Sequence, residues 1–128
     1  MDQTTAQKVT FIAKTLLDRK AQDVVSLDVT NMTIVTDCFV LASGNSALQV
    51  KALADYVEDK MMEQYGMEPK SKDGYAGGRW IVLAYPDILV HIFHREEREF
   101  YSLERLWAWS DGSNLTKYTD ESVAALEE

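Results

Sequence analysis

Five successive residues, Cys38-Phe39-Val40-Leu41-Ala42, are apolar at both parities. Side chains of a strand alternate between two faces, so such a run is satisfied only in a central strand with both faces covered. Ser43-Gly44-Asn45 ends it, and Ser46 with Gln49 has the capping-box spacing that opens a helix. The helix's buried stripe is Val50, Leu53, Ala54, Val57 and Met61, with Gly66 as its stop. A covered strand running into an amphipathic helix calls for a sheet with helices packed on it.

The remaining pattern fits that frame. Val9, Ile12, Ala13, Leu16 and Leu17 fall on one helical face and predict a helix over 6–19, with Thr4 and Gln7 as its capping box. Val25, Leu27 and Val29 alternate with Val24, Ser26 and Asp28 as in a half-buried strand. Residues 67–79 hold a Pro, three Gly and several charges, which predicts a long loop suited to mobility or to contact with a partner. Strands over 80–85 and 88–93 are joined by Pro86-Asp87, a hairpin. A third helix begins near His94 or Arg95 and buries Phe100, Leu103, Leu106 and Trp107. The order helix, strand, strand, helix, strand, strand, helix implies a two-layer α/β domain over 1–107, a mixed sheet with helices mainly on one face. Residues 108–128 hold five acids and one Lys and read as a flexible acidic tail.

At 128 residues the chain is sized for a single domain. Its 13 basic and 21 acidic residues give a net charge of −8, which repels phosphate backbones and argues against direct nucleic-acid binding. Cys38 is the sole cysteine, the N-terminus lacks signal-peptide character, and no apolar run approaches a membrane span, so the expected setting is cytoplasmic and off the membrane.

Residues for catalysis are scarce. The Ser43-Gly44-Asn45-Ser46 turn could hold a phosphate at the helix N-terminus, although tight-turn geometry and capping account for Gly44 and Ser46 without a ligand. A nucleotidyltransferase would pair this turn with two metal-binding carboxylates on the next strand. That strand, Trp80-Ile81-Val82-Leu83-Ala84-Tyr85, has none. His91 and His94 sit on different elements and far from Cys38, and no nucleophile motif accompanies them. The reading is no catalytic residues, no metal and no cofactor.

The hairpin is more informative. A two-residue turn pairs Ile81 with Ile92, Leu83 with Val90 and Tyr85 with Ile88, an aliphatic face for the core. The other face pairs Trp80 with Phe93, Val82 with His91 and Ala84 with Leu89, a mixture suited to a protein interface. With the third helix beside it, the candidate partner-binding residues are Trp80, His91, Arg98, Glu99 and Tyr101.

The string Thr36-Asp37-Cys38-Phe39-Val40-Leu41-Ala42-Ser43-Gly44-Asn45-Ser46, the pair Gln49-Val50, the runs Trp80-Ile81-Val82-Leu83 and Asp87-Ile88-Leu89-Val90-His91-Ile92-Phe93, and the segment Glu97-Arg98-Glu99-Phe100-Tyr101-Ser102-Leu103-Glu104-Arg105-Leu106-Trp107 resemble the ribosomal silencing factor family, also called Iojap. The family pattern carries Asp where this chain has Ala84 and Gly where it has Pro86. The resemblance implies a nucleotidyltransferase-like fold lacking the catalytic acids. It also implies a translation regulator, not an enzyme, that binds the large ribosomal subunit through its fourteenth protein and blocks joining of the small subunit under nutrient limitation. A homodimer is a further partner compatible with it. The contrasting expectation is a nucleotide-binding or nucleotidyltransferase-type enzyme using the Gly44 turn.

Overall fold

The computed structural model describes residues 1–127. In chain order the elements are α1 (Gln3–Asp18), β1 (Gln22–Asp28), β2 (Cys38–Gly44), α2 (Ala47–Tyr65), β3 (Ser71–Asp73), β4 (Trp80–Tyr85), β5 (Ile88–His94), α3 (Arg95–Tyr101), α4 (Leu103–Trp107), β6 (Leu115–Lys117) and α5 (Asp120–Glu127). The strands form one mixed sheet in the order β3-β4-β5-β2-β1-β6, in which only the β2–β5 pair is parallel.

β2 lies near the centre and is buried at every position, as its unbroken apolar run requires. Cys38, Val40 and Ala42 face a core built with α1 and α2, together with Ile81, Leu83, Tyr85, Ile88, Val90 and Ile92 of the hairpin. Phe39 and Leu41 face the other way, into a smaller cluster with Val25, Leu27, Val29 and Phe93. β1 is therefore covered on both sides along Val24–Leu27, more than a half-buried strand. Ser26 tolerates this burial because its hydroxyl meets the Tyr118 hydroxyl at 2.9 Å.

The hairpin pairs in the register expected from a two-residue turn, from Trp80 opposite Phe93 to Tyr85 opposite Ile88. Asp87 takes φ +66° at that turn. Gly66 closes α2 in the left-handed conformation, and Ser46 caps its start by accepting from Gln49 N–H at 3.0 Å. At α1 the cap is Asp2, which accepts from Thr5 N–H at 2.7 Å, instead of the expected Thr4–Gln7 box; a carboxylate two residues earlier captures the free donor first.

Three expectations are corrected. Residues 67–79 are not an open loop: β3 pairs with β4 at the sheet edge, Tyr75 OH donates to Asp55 at 2.9 Å and Lys72 pairs with Glu58 at 3.1 Å. The third helix is two helices, because Ser102 adopts φ +49° between α3 and α4. The break turns the apolar stripe, leaving Phe100 80% and Leu106 70% exposed. The expected flexible tail carries β6, antiparallel to β1, and α5; Val123 is buried, and Asn114 Nδ2 donates to the Asp28 and Trp107 carbonyls at 3.1 and 2.9 Å. Those contacts hold 108–127 to the body, and only Glu128 of the expected tail lies outside the described residues.

Candidate functional site

The face of β4 and β5 opposite the main core has Trp80, Val82, Ala84, Leu89, His91 and Phe93 by strand alternation. Phe93 is fully buried and Trp80 half-buried over it, their rings stacked at 4.8 Å. Trp80 also meets the Tyr101 ring at 4.8 Å. On the far side of His91, Phe39 lies edge-on at 5.2 Å and in turn meets Trp107 at 5.1 Å. His91 thus forms the floor between two aromatic walls, one from β4 and α3, the other from β2 and α4.

The imidazole is 8% exposed. Its Nδ1 accepts from Trp80 Nε1–H at 3.1 Å, which fixes the direction of the indole ring and requires the remaining proton on Nε2. Nε2 has no hydrogen-bond partner among the described residues. Burial pulls the His91 pKa down to about 4, because a charged imidazolium loses its hydration there. At neutral pH the ring is therefore an uncharged acceptor for Trp80.

Trp80, His91 and Tyr101 come together as the sequence suggested, and half-exposed Tyr101 ends the array at the surface. Arg98 and Glu99 do not join them. Arg98 is 8% exposed; its Nη1–H donates to Ser43 Oγ at 2.9 Å and its Nε–H to both Glu104 oxygens at 3.2 Å. Those acceptors draw the guanidinium to the end of β2, away from Tyr101, although the two residues are three apart. Exposed Glu99 lies along the same cleft as Arg98. Sequence reasoning placed Phe39 in the core strand and Phe100 and Leu106 on a buried stripe. The structure makes Phe39 part of an aromatic wall and leaves the other two on the outer surface.

The other candidates have their groups engaged. At the Gly44 turn, Asn45 N–H donates to Gln49 Oε1 at 2.7 Å and Gln49 N–H to Ser46 Oγ, so donors that could hold a phosphate serve the turn itself. His94, Glu96 and Glu97 bring ligand atoms within 4.8 Å of one another. His94 Nδ1 accepts from Glu96 N–H at 3.2 Å, however, and both carboxylates clamp Arg79, with Glu96 Oε2 at 2.9 Å from Nη2. That ion pair holds Glu97 below the usual carboxylate range.

A profile described as "Ribosomal silencing factor during starvation" matches residues 2–127. The chain belongs to the ribosomal silencing factor family, RsfS. It is 39% identical over 90 residues to the ribosomal silencing factor RsfS of Halalkalibacterium halodurans, covering 70% of this chain and 76% of that one. A crystal structure of a Chromobacterium violaceum protein superposes with a TM-score of 0.73 at 32% identity, covering 84% of this chain and 87% of that one. Mouse "Mitochondrial assembly of ribosomal large subunit protein 1" is 28% identical over 102 residues, 77% of this chain and 44% of its own length. The RsfS match extends through β6 and α5, in keeping with their place in the folded body.

Proposed function

We propose that this RsfS-family chain binds the large ribosomal subunit through the fourteenth protein of that subunit, and that its bulk then prevents the small subunit from joining. The carrying observation is the half-covered aromatic face of β4 and β5, in which Trp80, His91 and Tyr101 form an anchor beside exposed Phe100. Aromatic anchors at a partly desolvated centre are the usual source of binding energy at protein interfaces. The net charge of −8 complements a basic ribosomal protein and disfavours bare RNA. The name of the mouse relative supports a partner on the large subunit.

The action is occupancy of a subunit-facing surface, without catalysis, cofactor or sequence-specific nucleic-acid contact, in the cytoplasm. A homodimer, if formed, uses a surface that large-subunit binding must either spare or displace. Cosedimentation with purified large subunits tests the reading. Wild-type protein pellets with them, and Trp80→Ala or Tyr101→Ala weakens binding at least about tenfold, equivalent to about 1.4 kcal/mol. Undiminished binding by both variants would contradict it.

A further inference from the structure

β2 and β5 are parallel neighbours whose chains depart in opposite directions. From β2 the chain passes to α2 on the main-core face; from β5 it passes through α3 to α4, whose Leu103 and Trp107 pack on the other face. In open α/β sheets the crevice beyond the carboxyl ends of two such strands is the recurrent place for a ligand. Here that crevice is a cleft of about 940 Å³, bounded by Ser43, α3, α4, the start of β1 and the end of β6, and nucleotide-sized ligands occupy sites of this scale.

Its lining has a definite charge logic. Arg98 is more than nine-tenths buried, yet only two of its five N–H donors are engaged, Nε–H by Glu104 and one Nη1–H by Ser43. The remaining donors have no acceptor among the described residues and are not enclosed, so they are open to the cleft that Arg98 lines. Arg95, Arg105 and Lys117 also line the cleft, and none of them pairs with a carboxylate among the described residues. Four cations and four carboxylates line the cleft, but Glu104 is held by Arg98 and Glu96 by Arg79, so Arg95, Arg105 and Lys117 remain as its unpaired cations among the described residues. Opposite them stand the unpaired carboxylates of Asp23, held at φ +51°, and Glu99, with Val24, Val25 and Tyr118 supplying an apolar wall.

We propose that this cleft binds a small phosphorylated ligand of nucleotide size. The phosphate sits on the free Arg98 donors with Arg95, Arg105 and Lys117 around it, its hydroxyl or amine donors face Asp23 and Glu99, and its apolar part lies against Tyr118. The two carboxylates disfavour a bare polyanion such as an RNA backbone, which offers them no donor at matching positions. The site is distinct from the Gly44 turn, where Asn45 N–H and Gln49 N–H are bonded within the turn, and from the aromatic face proposed to meet the ribosome.

Titration of the isotope-labelled full chain with adenosine monophosphate at low ionic strength, followed by amide NMR, tests this without any ribosome. Inorganic phosphate and adenosine serve as comparison probes. The proposal expects saturable shifts at Ser43, Arg98, Lys117 and Thr119 with the nucleotide and weaker binding of each comparison probe. The double variant Arg95→Ala/Lys117→Ala, which alters two exposed side chains, should weaken binding at least tenfold with an unchanged unfolding temperature. Absence of saturable shifts, shifts confined to another surface, equal binding of inorganic phosphate, or indifference to the double variant would each overturn it.

Discussion

Replacing His91 by Leu separates the stability of the aromatic face from its arrangement. The wild-type ring has a buried Nε2–H without a partner and an Nδ1 that accepts from Trp80. An unsatisfied buried donor costs about 1–3 kcal/mol, whereas the hydrogen bond contributes about 0.5–1.5 kcal/mol. Half-buried Trp80 can turn its N–H toward water, so His91→Leu at pH 7 should leave stability within about 1 kcal/mol of wild type or raise it. The pH dependence is sharper. The folded pKa near 4 lies below the unfolded value of 6.5, so between them the unfolded chain holds a proton that the folded one lacks. The resulting stability is fully present above pH 6.5 and is lost as pH falls toward 4, by about 1.4 kcal/mol per unit and about 3 kcal/mol in all. Asp28 and Glu97, whose pKa values are lowered, also withdraw stability in acid, but they do so in both proteins. Urea unfolding from pH 7.5 to 4 should therefore show a difference that grows in favour of His91→Leu. Parallel pH profiles, or a loss above about 2 kcal/mol at pH 7, would refute the assignment of a neutral His91 with an unpaired Nε2.

Three further outcomes follow from the same packing. Arg98→Ala should lower stability by about 2 kcal/mol in urea unfolding, because Ser43 and partly exposed Glu104 lose their shared partner. Truncation after residue 107 should lower the unfolding temperature markedly or leave the chain unfolded, because it strips β6 from β1 and removes Tyr118, Asn114 and Val123. Cys38, fully buried with its thiol pushed up to about 12, should resist a thiol-alkylating reagent at pH 8 in the folded protein and react once urea unfolds it.

What could be read from the sequence was what local pattern controls. The unbroken apolar run of Cys38–Ala42 identified a central strand, and Pro86-Asp87 set a two-residue turn from which every hairpin pair followed. Helical spacing likewise found the buried stripe of α2. The last twenty residues misled because Leu115, Tyr118 and Val123 are too widely spaced to form a period, and their partners on β1 and α1 lie far away in sequence. The site was half legible for a related reason. Strand alternation joined Trp80 with His91, but helical spacing assumed one continuous third helix. The left-handed Ser102 breaks it, exposing Phe100 and Leu106, while Ser43 and Glu104 draw Arg98 inward.

The most direct test of the central claim is joining of purified large and small subunits, followed by light scattering, with saturating wild-type protein or Trp80→Ala added to the large subunits first. The account predicts that wild type suppresses joining, and that folded Trp80→Ala requires at least about ten times the concentration to do so. Undisturbed joining in the presence of bound wild-type protein would contradict steric exclusion, and equal suppression by Trp80→Ala would contradict the aromatic face as the docking surface.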